Sequence, residues 1–280
     1  MNEEKRCNDL TGKEWLQNSF SIWRDLSKTK AEKDLKHPAS YPVCLCEKLI
    51  KTFARKKCKV LDPFNGIGST IVAANNLGCE AVGIDLSSEF CSIAEHRIAQ
   101  QKLNSSSDSD IKIINGDSFQ VLKSLPENYF DLCITSPPYW DILNMQRSAD
   151  KKEAVNYSDK ENDVGNIPNY EKFIEKLSEL FSEVQKTLKK GGYCIVNVMD
   201  IRKKSNFYPL HSDLATAMQK IGYIFDDIII WDRQSDYNNM RPLGYPYKFR
   251  IEFVINWYIL FCKSIRKQIV RSLNCITQIK

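Results

Sequence analysis

Apolar residues follow two rhythms along this chain. Short runs with little polar interruption occur in CKVLD, EAVGID, IKIIN, YFDLCITS, YCIVNVMD, YIFDDIIIWD and FVINWYILFCK. Between them, apolar positions recur three and four residues apart. The clearest case is Tyr170, Phe173, Ile174, Leu177, Leu180, Phe181, Val184 and Leu188. That spacing predicts an amphipathic helix, closed by the KKGG that follows. Further helices are predicted from Cys44 to Phe53, from Thr70 to Leu77, along SSEFCSIAEHRIAQQKL with Ser87 or Ser88 as N-cap, and along HSDLATAMQKIG up to its glycine. Residues before Leu35 read as charged and irregular, anchored by Trp15, Phe20 and Trp23. NSSSDSD reads as a solvated loop, and residues 141–168 show no apolar period.

Strands alternating with helices predict an α/β domain with helices on both faces of a mostly parallel, seven-stranded sheet. The continuously apolar strands fit burial on both faces. The last two strands are expected to be antiparallel neighbours. Residues 1–36 are read as an N-terminal extension, 37–263 as one domain with insertions at 141–168 and 232–250, and 264–280 as a basic tail.

Composition narrows the picture only slightly. The chain has 280 residues, 42% hydrophobic and 27% charged, enough for one large core. A net charge of +5 permits a polyanionic partner without requiring one. No apolar run reaches the roughly 18 residues of a membrane span, and the start shows no secretion signal. The ten cysteines are scattered, with Cys44-x-Cys46 the one close pair. This predicts reduced thiols in a cytoplasmic protein and no zinc site. His37, His96 and His211 lack metal-ligand spacing.

The chemistry-bearing residues cluster at predicted strand ends. VLDPFNGIGST places Gly66 and Gly68 between a strand and a helix, where glycine permits a tight turn and close approach to a ligand. Asp85 ends the next strand, 17 residues beyond Gly68. A carboxylate there can accept from two ribose hydroxyls. Asp117 follows the third strand at the same edge. The loop lacks the third glycine of G-x-G-x-x-G and the G-K-[ST] of a phosphate loop. Asp62 would repel phosphate but suit a cationic amino-acid head. These features point to S-adenosyl-L-methionine, which has no phosphate.

Ser136-Pro137-Pro138-Tyr139 ends the fourth strand. The two prolines fix φ and remove two N–H donors, leaving carbonyls free to accept. The Ser136 hydroxyl and the Pro137 carbonyl can accept from the two N–H groups of an exocyclic amine. Tyr139 offers a ring face for stacking, worth roughly 1–3 kcal/mol per base. Holding both N–H groups favours pyramidal nitrogen and frees its lone pair for attack on a methyl group, a stabilisation specific to the transition state.

These residues resemble those of the amino-group DNA methyltransferases, which modify cytosine N4 or adenine N6. The resemblance runs from about Glu14 to Phe261. It implies the Rossmann-like, doubly wound fold of S-adenosylmethionine-dependent methyltransferases. KHPASYPVCLCEKLI, with His37, Pro38 and Ala39, resembles the segment lining the methionine side of the cofactor. LDPFNGIGST resembles the cofactor loop, which implies cofactor contacts for Asp62, Phe64, Gly66, Gly68, Ser69 and Thr70. GIDLSSEF resembles the ribose-binding strand end, with Asp85 and Leu86. NGDS, with Asp117 and Ser118, matches the position meeting the adenine ring, and TSPPYW matches the catalytic tetrapeptide. A serine in the first catalytic position resembles the cytosine-N4 enzymes more often than the adenine-N6 ones. Two departures stand out. The chain has little room for a large target-recognition domain. Its ending, RIEFVINWYILFCKS, lacks the His-Glu that similar proteins carry before the last strand.

The expected activity is methyl transfer to cytosine N4 in duplex DNA, with the target base flipped out of the stack. Adenine-N6 transfer, RNA base methylation and a catalytically decayed nucleic-acid-binding protein remain alternatives. NNMRPLGYPYKFR interleaves Arg241, Lys248 and Arg250 with Tyr245, Tyr247 and Phe249. Of these, Arg241, Tyr245, Tyr247, Lys248 and Arg250 are the candidate DNA contacts. Lys151, Lys152, Lys203 and Lys204 read as solvated charges. The resemblance allows a restriction endonuclease sharing the same site, with the enzyme acting as a monomer or homodimer away from membranes.

Overall fold

The structure, a computed structural model, describes residues 6–35, 40–104, 109–140, 163–203, 205–237 and 255–263. The chain opens with α1 (Gly12–Asn18), β1 (Ile22–Trp23), α2 (Lys30–Asp34) and α3 (Val43–Phe53). Three strand–helix units follow. They are β2 (Lys59–Asp62) with α4 (Ser69–Asn76), β3 (Glu80–Asp85) with α5 (Ser88–Asn104), and β4 (Ile111–Asn115) with α6 (Ser118–Ser124). Then come β5 (Phe130–Thr135), α7 (Tyr170–Thr187), β6 (Leu188–Val198) and a ribbon of β7 (Ile201–Lys203) and β8 (Asn206–Tyr208). The last elements are α8 (Leu210–Lys220), β9 (Ile224–Asp232) and β10 (Ile255–Cys262).

Among the described residues, eight strands form the main sheet, in the order β1-β9-β10-β6-β5-β2-β3-β4. β10 runs antiparallel to both β6 and β9, as expected for the last two strands. The other pairings are parallel. From β2 the chain winds outward through β3 and β4, then crosses back to place β5 on the other side of β2. The order therefore reverses between β2 and β5, where open α/β sheets bind ligands beyond their carboxyl ends.

Pleating divides the strand side chains between two cores. Leu61, Cys133, Cys194, Val196, Ile259 and Phe261 face the core shared with α7 and α8. Val60, Leu132, Ile134, Ile195, Tyr258 and Leu260 face the core shared with α3 and α4. The doubly wound α/β architecture is thus the one the apolar rhythm predicts.

Several local expectations are corrected. The sheet has eight strands rather than seven, because Ile22–Trp23 pairs with Ile230 and Trp231 of β9. The stretch before Leu35 is not irregular. Thr11 and Thr29 each build a capping box, with Glu14 and Glu32, and so start two helices. Of its three proposed aromatic anchors, Trp23 is buried at 1% exposure, while Trp15 and Phe20 are 49% and 59% exposed. KKGG does not cap α7, which ends at Thr187. It lies inside β6, where the Phe130–Leu132 register shift accommodates it. The seven-residue α6 and the β7–β8 ribbon are additions to the predicted elements.

Candidate active site

The carboxyl ends of β2, β3 and β5 and the start of α6 surround one cleft with about 890 Å³ of empty space, partly open to solvent. Its floor is the loop after β2. Asp62 lies beneath that floor, fully buried. Its carboxylate accepts from Thr135 Oγ1 at 2.7 Å, Phe64 N at 3.1 Å and the Tyr41 hydroxyl at 3.1 Å. A further hydrogen bond comes from Thr70. Burial raises its pKa to about 6, against the lowering effect of these donors.

The loop then turns sharply. Gly66, at φ 51°, donates its amide to Asp85 Oδ2 at 2.6 Å. Gly68, at φ 82°, caps α4, and a Cβ there would stand 2.8 Å from Ala94 Cβ of α5. The first glycine brings backbone to a carboxylate; the second lets two helices approach.

Asp85 holds two amides at once, since its Oδ1 also accepts from Ser87 N at 2.9 Å. Each carboxylate oxygen has lone-pair capacity beyond one such bond. Asp117 caps α6 through Phe119 N at 2.9 Å. The Ser118 hydroxyl donates to Pro63 O at 2.5 Å, tying the third strand end to the first loop.

Of the predicted cofactor residues, Phe64, Gly66, Ser69, Asp85, Leu86, Asp117 and Ser118 line the cleft, as do Ser136 and Pro138 of the tetrapeptide. Asp62, Gly68 and Thr70 do not. Asp62 was expected to face a cationic head. Instead it is saturated by protein donors under the loop and shapes it from below. Thr70 is fully buried, 2.7 Å from the Tyr41 hydroxyl. Gly68 is occupied with helix packing. His37, Pro38, Ala39, Arg241, Tyr245, Tyr247, Lys248 and Arg250 lie outside the described residues.

Asn65 and Asp163 also line the cleft and went unrecognised in the sequence. Asp163 begins a 3-10 turn over Val164–Asn166 and accepts from Gly165 N at 2.8 Å. It stood among the mixed charges of 141–168, and nothing in that composition distinguished it. Three carboxylates therefore face the cleft, and among its described lining residues there is no Lys, Arg or His.

Pro137 and Tyr139 are not part of the cleft wall. Tyr139 sits beside it with its hydroxyl turned toward the sheet. That hydroxyl receives Asn256 Nδ2 at 3.1 Å and Asn197 Nδ2 at 3.3 Å, and lies 3.1 Å from Ser136 Oγ. Ser136 Oγ in turn donates to the Asn197 carbonyl at 3.1 Å. With two amide donors on it, the Tyr139 hydroxyl directs its own proton to Ser136. Trp140 follows at φ 52°, buried, with Nε1 on Ile167 O at 2.8 Å.

The family model described as DNA methylase, for N6 and N4 amino-methyltransferases, matches residues 1–96 and 130–258. The chain belongs to this DNA methylase family. A second model, a methyltransferase domain, matches residues 61–155. Type II methyltransferase M.MwoI of Methanothermobacter wolfeii is 34% identical over 124 residues, 43% of this chain and 17% of that protein. Type II beta methyltransferase M.BslI of Bacillus sp. (strain NEB-606) is 29% identical over 141 residues, 47% of this chain and 13% of that protein. Type II methyltransferase M.MjaI of Methanocaldococcus jannaschii is 29% identical over 142 residues, 46% of each. The chain thus spans less than half the length of these relatives. Among solved structures, a methyltransferase from Pyrococcus furiosus gives a TM-score of 0.49 at 18% identity, covering 82% of this chain and 88% of its own. No helix among the described residues is long and apolar enough to cross a membrane.

Proposed function

We propose that this protein transfers a methyl group to the exocyclic N4 amine of a cytosine flipped out of duplex DNA. S-Adenosyl-L-methionine is the cofactor, and it supplies an electrophilic methyl on a sulfonium centre. The observation that carries the reading is the acid-lined cleft, free of basic groups among its described residues, opening against Ser136 and Pro138. Three carboxylates suit a cationic ligand and oppose a phosphate. Asp85 ends β3, where a carboxylate can accept from ribose hydroxyls, and Asp117 stands at the next strand end. Phe64, Leu86 and Phe119 supply apolar walls for a flat purine.

On the acceptor side, the Ser136 hydroxyl keeps its own proton on the Asn197 carbonyl. It accepts from the Tyr139 hydroxyl and, at 3.4 Å, from Asn197 Nδ2, so it meets a target amine as an acceptor by exchanging the long Asn197 contact for it. The Pro137 carbonyl is the second acceptor, and Pro137 and Pro138 hold both in place. The Tyr139 ring stacks on the extruded base while its hydroxyl stays tied to the sheet. Two held N–H groups favour the nitrogen geometry that attacks the methyl, which is catalysis by differential binding. The serine favours cytosine N4; adenine N6 is the second reading, and the same acceptors serve it.

The deciding experiment incubates the full chain with radiolabelled donor and, in parallel, unmodified plasmid DNA or RNA transcribed from it, then digests each acceptor to nucleosides. In the DNA digest, label in N4-methyl-2′-deoxycytidine is expected. Label in N6-methyl-2′-deoxyadenosine moves the assignment to the second reading. Label in RNA alone, or donor binding without transfer to either acceptor, overturns DNA methylation.

A further inference from the structure

β6 ends at Val198, two residues past the Val196 that pairs with Thr135 of β5. The chain then forms the β7–β8 ribbon, which leaves the sheet at the edge carrying Ser136. In the ribbon Ile201 pairs with Tyr208, Arg202 with Phe207 and Lys203 with Asn206. Pleating puts Ile201, Lys203 and Tyr208 on one face and Arg202 and Phe207 on the other.

The first face is docked. Ile201 is fully buried. Tyr208 meets Trp140 edge-on at 4.9 Å, and Lys203 Nζ lies 4.1 Å from the centre of the indole. Trp140 is the residue after Tyr139, so the ribbon is clamped to the end of the catalytic tetrapeptide.

On the second face Arg202 is half-buried and Phe207 is exposed. Phe207 is 47% exposed, and the Arg202 guanidinium lies 5.6 Å from its ring centre. The other exposed large hydrophobics among the described residues lie within residues 15–22, so Phe207 is a separate exposure at the catalytic edge. No acidic residue occurs between Ile201 and Tyr208 in the sequence.

We propose that the Arg202–Phe207 face of this ribbon is a contact surface for duplex DNA. Arg202 meets a backbone phosphate, and Phe207 packs against the base step from which the target nucleotide leaves. The proposal rests on the reading of the protein as a methylase acting on an extruded base. A two-stranded ribbon fits the major groove, and a guanidinium is the natural partner of a phosphate. An apolar ring beside an opened base step replaces part of the lost stacking. The Trp140 clamp fixes how far that contact lies from Ser136 and Tyr139.

The test uses the full chain with Arg202→Gln, Arg202→Lys and Phe207→Ser. Three quantities are measured for each: donor affinity by calorimetry, affinity for a 30-base-pair duplex of arbitrary sequence across a salt series, and steady-state transfer to plasmid DNA. Donor affinity should stay at the wild-type value, which also shows that the cleft is folded. Arg202→Gln should lower the slope of log affinity against log salt by about 0.9, the value of one phosphate contact, and Arg202→Lys should restore it. Phe207→Ser should raise KM for DNA about tenfold, near the low end for one base–aromatic contact. Variants that bind donor and duplex as wild type does, with wild-type slopes, overturn the ribbon proposal while leaving methylation intact. A wild-type protein that methylates RNA and not DNA overturns both readings.

Discussion

Asn256 of β10 donates its side-chain amide to the Tyr139 hydroxyl at 3.1 Å, joining the last strand to the Ser136–Tyr139 tetrapeptide across 117 residues of sequence. Asn256 Oδ1 is itself held by Arg233 Nη1 at 3.2 Å. A chain of hydrogen bonds thus runs from Arg233 through Asn256 and Tyr139 to Ser136. In the proposed function Asn256 is a positioning residue, because its bond to the hydroxyl orients the Tyr139 ring that would stack on the target. Asn256→Leu should lower kcat about 10- to 100-fold, the cost of a misplaced reacting group, with donor affinity unchanged. Tyr139→Phe keeps the ring but strands two buried amide donors, and should cost about 1–3 kcal/mol of stability in urea unfolding. Tyr139→Ala should spare donor binding and abolish transfer. Full turnover in Tyr139→Ala would remove the acceptor pocket from the account.

Asp85 holds Gly66 N and Ser87 N with separate oxygens. Asp85→Asn must turn an amide N–H₂ against one of these donors. The loop bond or the bond to Ser87 is lost, together with the charge facing a cationic ligand. Bonds to charged groups are worth about 1.5–3 kcal/mol, so donor affinity should fall roughly 10- to 150-fold. Isothermal calorimetry reads this directly. An Asn variant that binds donor as tightly as wild type would show that Asp85 serves the loop alone.

The strand ends were legible because apolar runs followed at once by Gly, Pro and Asp mark both the sheet edge and its turns. Asp85, Asp117 and Ser136 could be placed at one cleft on that basis. β1 was not legible, since two residues carry no period, and α6 is too short to show one. The acceptor network was missed for a different reason. Asn197 and Asn256 are polar residues inside apolar strands, each 3% exposed. Such an interruption is the available signal, because a buried amide in a strand needs a partner. Asp62 was misjudged because its sequence position shows a strand end but not depth. The carboxylate turned out to serve Thr135, Tyr41 and Phe64.

That burial makes Asp62 a source of pH-dependent stability. Its folded-state pKa of about 6 lies above the ordinary 3.8. The native state therefore binds the proton more tightly than the unfolded chain between about pH 4 and 6. The stability this contributes is fully present below pH 4 and is lost as pH rises through 6. Asp62→Asn removes the titration while keeping the shape. The stability of wild type relative to Asp62→Asn should fall by on the order of 3 kcal/mol between pH 4 and 7.5. Urea unfolding of both proteins across that range measures it. A constant difference would mean that Asp62 stays ionised in the fold.

Gly83 lies in the middle of β3 and looks in sequence like an ordinary strand residue, yet it is a seat for the cofactor loop. A Cβ there would meet Asn65 Cγ and Oδ1 at 2.6 Å and Ile71 Cγ1 at 2.8 Å. Asn65 is buried against this strand, its backbone amide on Ile84 O at 2.9 Å, and it precedes the Gly66 that binds Asp85. Gly83→Ala must push Asn65 outward and carry the loop with it. The expected cost is about 1–3 kcal/mol of stability, with weaker donor binding through the lost Gly66–Asp85 geometry. Asn65→Ala vacates the space, so the double variant should recover part of the stability lost in Gly83→Ala. Gly12→Ala is the control, since nothing lies within 4 Å of its added methyl. It should leave donor binding untouched and slightly stabilise α1, by about 0.5–1 kcal/mol. Strict additivity of Gly83→Ala and Asn65→Ala would show that the two residues do not share this space.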